Sequence, residues 1–217
     1  MKKYYYLCLG LGLLLSACRE PEIPFESKEV PLEELLLGEL KVEKDPFERS
    51  PLAAQLSFES KQKTKVSITI LGNVELSHDF PLAKEHQLPI LGLHPGQENK
   101  IVLDIVGENG WYAQDTLSIQ TDPLPEFLPE IEIVSLQAER MESGLHFSNF
   151  NRPVERKFQK FPLLFDNEGE IRWFLDLSEF EALTFPIQRF EDGLWYIFQG
   201  NKILTFSMLG EKWVKLI

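Results

Sequence analysis

Four histidines, the side chains best suited to nucleophilic, acid–base or metal chemistry near neutral pH, lie at positions 78, 86, 94 and 146. The first three are eight residues apart, whereas a zinc site usually contains one pair of ligands about three to five residues apart. His78 lies in a Ser-His-Asp tripeptide, but the members of a catalytic triad meet in space and not along the sequence. We therefore predict that His78, His86 and His94 are exposed strand-end or loop residues rather than a metal site or a triad.

An acidic cluster of Asp166, Glu168 and Glu170 surrounds Gly169. Calcium prefers several oxygen ligands, so a calcium loop is one interpretation of this cluster. The regular Asp-x-Asp-x-Asp pattern with a distal glutamate is absent from it. A tight turn explains the same residues, because Asp166 would start the turn and Gly169 would supply a positive φ. The turn is the favoured interpretation.

Four cationic side chains lie close together in the second half of the chain: Arg152, Arg156, Lys157 and Lys160. An anion site, for example for sulfate, is one interpretation, and a solvated loop is the one that we favour. The sequence contains no glycine-rich phosphate loop, so nothing in it supports nucleotide binding, and no cofactor is predicted.

Aromatic rings are dense in the same half of the chain, where Trp173, Trp195, Tyr196 and Trp213 lie among several phenylalanines. These rings would either line a sugar or phenol pocket or pack between neighbouring sheets, and packing is favoured. If the sheets were incomplete, some rings would form an exposed apolar patch, which marks an interface or an unstable fragment.

Composition and charge restrict the class of protein that must position these side chains. The chain has 217 residues, which suits one large domain or two small ones, and 43% of them are hydrophobic, as in ordinary globular proteins. The formal net charge is −12, whereas a nucleic-acid-binding protein that depends on phosphate contacts needs a basic face. A nucleic-acid partner is therefore disfavoured.

The first residues form an export signal. Lys2 and Lys3 precede a short apolar run, and small residues follow it, as in a secretory signal peptide over residues 1–17. Leu15-Ser16-Ala17-Cys18 resembles the bacterial lipobox, in which the cysteine receives lipid after cleavage in front of it. Cys18 is thus the predicted lipid-attachment residue. The alternative is a plain signal peptide with an incidental cysteine.

Lipidation of Cys18 would make the protein an exported lipoprotein that contacts the membrane through its anchor. Residues 18–34 are rich in proline and charge and predict an extended tether. In bacteria an aspartate after the lipidated cysteine often retains a lipoprotein in the inner membrane, and this chain has Arg19 there. The periplasm or cell surface is expected, with the outer membrane favoured.

The rest of the chain predicts an all-β fold in two regions separated by a Pro-rich linker at 123–130. Residues 35–122 alternate apolar and polar side chains, as in Val66–Ile70 and Ile101–Ile105, and Asn109-Gly110 predicts a hairpin turn. Six or seven short strands there suggest an Ig- or fibronectin-like β-sandwich. Strands are predicted over 36–42, 52–58, 66–70, 74–80, 88–91, 101–105 and 117–119.

Residues 131–217 have dense aromatics and regular turns, at 166–169, 191–193, 199–201 and 209–211. These turns predict the hairpins of one or two β-propeller blades. A propeller needs about four to eight blades to close, so we expect an incomplete, apparently truncated propeller here.

Several segments in this order resemble the bacterial aryl-sulfate sulfotransferase (arylsulfotransferase) family. The first part is similar to the family's N-terminal β-domain and the second to its first propeller strands. The matching segments are Leu88–Gly96, Ile101–Ile105, Thr121–Pro125, Phe161–Leu175, Asp192-Gly193 and Gly200–Ile203.

The resemblance implies an exported enzyme with a six-bladed propeller that moves a sulfuryl group from an aryl sulfate to a phenol. It implies that a histidine in a His-His-Asp motif attacks sulfur and is transiently sulfated, while cationic side chains stabilise the developing charge. A homodimer is a further implication. The sequence has no histidine after Ile203, so none of its residues matches this motif and no catalytic residue is assigned.

We therefore interpret the chain as the N-terminal portion of a lipoprotein aryl-sulfate sulfotransferase that is inactive alone. Aryl sulfate and phenol would be its substrates only in a completed propeller. The first alternative is a non-catalytic, surface-anchored β-module that binds a protein or a glycan. The second is a decayed remnant without function.

Overall fold

Strands dominate the computed structural model, which describes residues 27–137, 140, 144–154, 157–179, 188–190, 193–197 and 202–216. The predicted signal peptide and Cys18 lie outside these residues. Within the described part of the chain, no helix has the length and apolarity required to cross a membrane. The fold class is all-β, as predicted, with one short helix of four residues.

The first region forms one six-stranded sheet that curls into half a barrel. The strand order is β1-β6-β5-β3-β2, and β4 pairs with the other edge of β3. The elements of this region are β1 (Lys28–Glu29), α1 (Leu32–Leu35), β2 (Lys41–Lys44), β3 (Ala53–Ile70), β4 (Leu76–Leu91), β5 (Glu98–Gly107) and β6 (Trp111–Gln120).

The prediction of many short strands in this region is corrected, because four of them merge into two long ones. The segments predicted at 52–58 and 66–70 belong to β3, and those at 74–80 and 88–91 belong to β4. Alternation of burial continues through the middle of β3, but its inward positions are the polar Ser60 and Thr64. The sequence pattern therefore shows a gap where the structure has a continuous, irregular strand.

The start of this region also differs from the prediction. The tether was expected over 18–34, and in its described part β1 pairs with β6 and α1 begins at Leu32. Val30 and Leu35 are buried in the core, and their burial holds this segment against the sheet. The strand predicted at 36–42 begins only at Lys41, and Leu36 makes an isolated bridge to Ser60.

The second region contains two antiparallel sheets, of three and four strands. Residues 121–130, which lead into this region, contain no strand or helix, and Leu128 among them is buried. The strands are β7 (His146–Val154), β8 (Lys157–Phe165) and β9 (Ile171–Phe174) in the first sheet, and β10 (Gln188–Phe190), β11 (Gly193–Ile197), β12 (Lys202–Ser207) and β13 (Lys212–Leu216) in the second.

The β7–β9 sheet lies between two cores. Phe161 and Leu163 on β8 join the core of the curled sheet, together with Ile171 and Phe174 on β9. Leu164 faces the opposite way and packs in a second cluster with residues of β9 and β12. This second cluster comprises Ala53, Leu164, Trp173, Leu175, Leu177, Leu204 and Phe206. The first region and the β7–β9 sheet therefore share one continuous core.

Two predicted hairpin turns are confirmed. The β5–β6 turn places Gly110 at φ +83°, and its N–H donates to the Gly107 carbonyl at 3.0 Å. The β8–β9 turn places Gly169 at φ +85°, a backbone conformation that residues with a Cβ rarely adopt. The second of these turns positions the acidic side chains of the candidate site.

Candidate functional site

A polar junction forms where the β8–β9 turn meets both ends of strand β4. Asp166 organises its side of the junction, because its Oδ1 accepts hydrogen bonds from the backbone N–H groups of Glu168 and Glu170, each at 3.0 Å. Its Oδ2 accepts a hydrogen bond from Arg172 at 3.0 Å. Both carboxylate oxygens therefore accept hydrogen bonds from the protein's own groups, and Gly169 has the positive φ that the turn interpretation predicts.

Arg172 on β9 crosses the junction with a fully buried side chain. Its Nε and Nη2 donate to the Gly92 carbonyl at 3.1 and 2.8 Å, and its Nη1 donates to the Val74 carbonyl at 3.2 Å. The ion pair with Asp166 balances the buried positive charge. Burial of an unpaired guanidinium at this position would be very costly. Sequence analysis did not single out this residue.

His94 lies beside Arg172 and is 7% exposed. Its Nδ1 lies 2.5 Å from Oε2 of Glu170, so Nδ1 carries a proton and donates it to the carboxylate. Its Nε2 is buried without a hydrogen-bond partner, and a Cβ built on Gly72 would lie 2.2 Å from it. The backbone of Gly72 thus covers the second ring nitrogen, which is closed to a metal ion or a substrate.

The loop that carries His94 is held by buried polar side chains from β5 and the end of β6. The backbone N–H of His94 donates to Oδ1 of Asn99 at 2.7 Å. Its carbonyl accepts hydrogen bonds from Asn99 Nδ2 at 3.0 Å and from Thr121 Oγ1 at 2.6 Å. Asn99 and Thr121 are each 1% exposed, so these bonds fix the position of the imidazole.

A cavity of about 480 Å³ opens next to this junction. Three carboxylates line it, and Arg172 is not among its lining residues. An anion such as a sulfate ester would meet negative charge there, so the cavity does not suit an anionic substrate. The lining residues are Leu71, Gly72, Asn73, His94, Gln97, Glu98, Glu168, Gly169 and Glu170.

The four histidines do not converge. His86 stacks on Phe58 at 4.5 Å and its Nε2 lies 2.8 Å from the Thr64 hydroxyl, all within the curled sheet. Burial lowers the pKa of His86, and a hydrogen bond with the backbone of Ala83 opposes this shift. His146 on β7 contacts Asn167 Oδ1 through its Nε2 at 2.6 Å.

The expectation of exposed histidines was wrong for His86 and His94, which are both buried. His86 lies on the inward face of β4 and contacts the Thr64 hydroxyl, whereas His94 hydrogen-bonds with Glu170 through one ring nitrogen and buries the other without a partner. His78 is half-buried on β4 and lines a separate cavity of about 550 Å³. In the described residues, no group of three or more His, Cys, Asp or Glu side chains is placed to hold a metal ion.

The predicted cationic cluster divides between the two faces of the β7–β8 hairpin. Arg152 is paired with Gln159, whereas Lys160 is paired with Asn151, so the two cations point to opposite faces. The guanidinium of Arg152 lies 4.8 Å from the centre of the Phe127 ring. Lys160 is buried, and this burial lowers the pKa of its ammonium group. Arg156 lies outside the described residues, as does the side chain of Lys157.

The favoured interpretation of the aromatic residues is confirmed for Trp173. Its side chain is buried between β9 and the second sheet, and its indole N–H donates to the Met208 carbonyl at 2.7 Å. Trp213, on the edge strand β13, is 46% exposed. The side chains of Trp195 and Tyr196 lie outside the described part.

Two family models match the chain one after the other, and together they span most of it. Residues 41–122 match the model described as "Arylsulfotransferase Ig-like domain". Residues 130–215 match the model described as "Arylsulfotransferase (ASST)". No curated protein matches the chain.

Proposed function

The chain belongs to the arylsulfotransferase family, and from this premise we propose that it is the N-terminal portion of an exported lipoprotein aryl-sulfate sulfotransferase. The order of the two matched domains carries this proposal, because an Ig-like domain precedes the ASST domain without interruption. The four-stranded antiparallel β10–β13 sheet supports it, since this is the architecture of a propeller blade.

The proposed reaction of the complete enzyme is transfer of a sulfuryl group through a histidine. A neutral imidazole attacks sulfur, the bond from sulfur to the aryl oxygen breaks, and the aryl oxide leaves. The oxygen of a phenol then attacks the sulfur, the bond from sulfur to the imidazole nitrogen breaks, and the proton of the phenol passes to the released aryl oxide or to water. Both steps place negative charge on oxygen atoms, which requires fixed cationic or N–H donors around the sulfur.

We propose that the 217 residues do not perform this reaction alone. His94 has one ring nitrogen on Glu170 and the other under Gly72, and His86 is enclosed in the curled sheet. Arg172, the arginine that reaches the junction among the described residues, donates its N–H groups to Gly92, Val74 and Asp166. This arrangement supports a structural role for these residues.

An assay with a chromogenic aryl sulfate and a phenol acceptor tests the proposal. We expect the purified protein to release aryl oxide no faster than buffer does. The His78→Gln and His146→Gln variants are matched controls, because both residues are only half-buried. Turnover that is present in the unchanged protein and lost in either variant would contradict the proposed inactivity and place the chemistry in this chain.

We further propose that Cys18 carries the lipid anchor and that the protein resides in the outer membrane. The lipobox-like segment and Arg19 support this proposal. Expression in bacteria with a radiolabelled fatty acid should label the protein, and Cys18→Ala should abolish the label. Cys8→Ala is the matched control, since Cys8 lies in the proposed signal peptide and its loss should leave labelling unchanged. Arg19→Asp should move the protein to the inner-membrane fraction.

Labelling that survives Cys18→Ala would show that Cys18 is not the lipidated residue, whatever the activity assay gives. An unchanged membrane fraction in Arg19→Asp would contradict the proposed sorting role of Arg19. These outcomes are independent of catalysis, because lipidation and sulfuryl transfer involve different parts of the protein.

A further inference from the structure

The two ends of strand β4 lie side by side, although the strand is long. Sixteen residues in a straight strand would span about 50 Å. Val74 precedes β4 in the chain and Gly92 follows it, yet the carbonyl groups of both accept hydrogen bonds from the single guanidinium of Arg172. The β3–β4 ribbon therefore bends until its ends meet at one side chain.

We propose that Arg172 holds the two ends of β4 together and so closes the Ig-like region (residues 41–122). This region and the β7–β9 sheet would then fold as one cooperative unit. Arg172 comes 98 residues after Val74 and 80 residues after Gly92. The Ig-like region is thus synthesised and exported first but is closed only when the β7–β9 sheet docks onto it. The inference is independent of the proposed enzymatic function.

The chemistry of arginine suits this role. Its planar group has five N–H donors in a fixed fork, so it can hold two carbonyl groups and a carboxylate in one plane. The carboxylate comes from Asp166, in the β8–β9 turn that precedes Arg172, so the β7–β9 sheet carries both the cation and its counter-charge. A lysine would retain the charge but lose this geometry.

Apolar packing at the junction also joins the ends of β4 and the β7–β9 sheet. Gly92 has φ +93°, and a Cβ built on it would lie 2.4 Å from Cδ1 of Leu76, which shows how closely the two ends of β4 approach. Phe161, Leu163 and Phe174 from the β7–β9 sheet lie in the core of the curled sheet. Undocking of this sheet would therefore expose apolar surface as well as break the polar junction.

A second contact ties the turn before β3 to the segment that follows β9. The turn before β3 contains Asp45 and Glu48 at positive φ, and Asp45 Oδ1 accepts hydrogen bonds from the N–H groups of Arg49 and Ser50. The carbonyl of Arg49 then accepts a hydrogen bond from the N–H of Asp176 at 2.8 Å. The Ig-like region is therefore held at two separate points.

Native-state hydrogen exchange of the full-length protein in low concentrations of urea tests the proposal. In the unchanged protein, we expect the amides at 74–78, 89–94 and 166–174 to open in one step with the same urea dependence, as one unit does. In Arg172→Met we expect protection at both ends of β4 to fall by about tenfold or more. Arg172→Lys should give an intermediate loss.

Lys44→Met is the matched control, because it removes an exposed ion pair with Asp122 elsewhere on the Ig-like region. It should leave protection at the ends of β4 unchanged. The proposal is overturned if Arg172→Met lowers protection only at 166–174, because the two ends of β4 would then stay together without Arg172. It is equally overturned if the unchanged protein opens these segments separately, a measurement that does not depend on any variant folding.

Discussion

Two buried polar clusters in this protein differ in charge. Inside the curled sheet, His86, Thr64 and Ser60 form an uncharged cluster, in which burial lowers the pKa of His86. At the junction, Arg172 and Asp166 are both buried as a charged pair. The neutral cluster fills the interior of one sheet, whereas the charged cluster joins residues of two sheets.

The difference between the two clusters has a physical reason. The ring of His86 hydrogen-bonds with the Thr64 hydroxyl and the Ala83 backbone and stacks on Phe58, so all of its partners lie within one sheet. A buried guanidinium instead demands a particular set of acceptors, because an unpaired buried charge is very costly. These acceptors come from both ends of β4 and from the β8–β9 turn, so we expect the buried charge to favour this docking geometry.

The largest loss of stability is expected for a change in the charged cluster. Asp166→Ala removes the counter-charge of Arg172 and the acceptor for two backbone N–H groups, and should lower the free energy of unfolding by about 3–5 kcal/mol. Asp166→Asn retains an acceptor oxygen and should lose less. Urea denaturation followed by circular dichroism measures both values. Equal stability of Asp166→Ala and the unchanged protein would show that the ion pair does not specify the junction.

A smaller effect is expected where Gly72 touches His94. The Cβ of Gly72→Ala would lie 2.2 Å from Nε2, which forces the imidazole away from Glu170, and overpacking of this kind costs about 1–3 kcal/mol. In the His94→Ala background the same change should cost almost nothing, because no ring remains to clash with. A double-mutant cycle by urea denaturation measures this coupling, and additive effects of the two changes would contradict the assigned contact.

Local features of this fold were predictable from the sequence, whereas the junction was not. The turns at Asn109-Gly110 and Asp166–Gly169 depend on adjacent residues, and the turn chemistry is visible in the residue types. The bonds from Arg172 to Gly92 and Val74 join residues 80 and 98 positions apart, and no local pattern encodes them.

The burial of His86 had a signal in the sequence that hydrophobic alternation alone does not use. His86 lies two residues before Leu88 and four before Ile90 in β4, so all three side chains face the same side of the sheet. All three are buried. Extension of the strand pattern through a polar residue would have identified it. His94 offered no such signal, because it lies in a loop and its partner Glu170 belongs to another sheet.

The neutral cluster should respond to pH. Because burial lowers the pKa of His86 below its ordinary value of 6.5, the unfolded chain binds a proton at this residue more readily than the folded protein does. The stabilisation is therefore complete above pH 6.5 and declines as the pH falls below that value. His86→Gln should reduce the loss of unfolding free energy between pH 7.5 and about 5.5. An unchanged loss in this variant would assign the pH dependence to other groups.

The smallest effect is expected for Glu170, the partly exposed member of the charged cluster. Its side chain is 36% exposed, so water and salt screen its interactions with His94 and with Arg172, 3.9 Å away. Glu170→Gln retains an acceptor for Nδ1 of His94 and should cost less than about 1 kcal/mol, and 1 M salt should reduce this cost further. Glu168→Gln is the control, since Glu168 lines the same cavity without pairing with Arg172 or His94. A loss for Glu170→Gln as large as that for Asp166→Ala would show that the charged cluster depends on its exposed carboxylate as much as on its buried one.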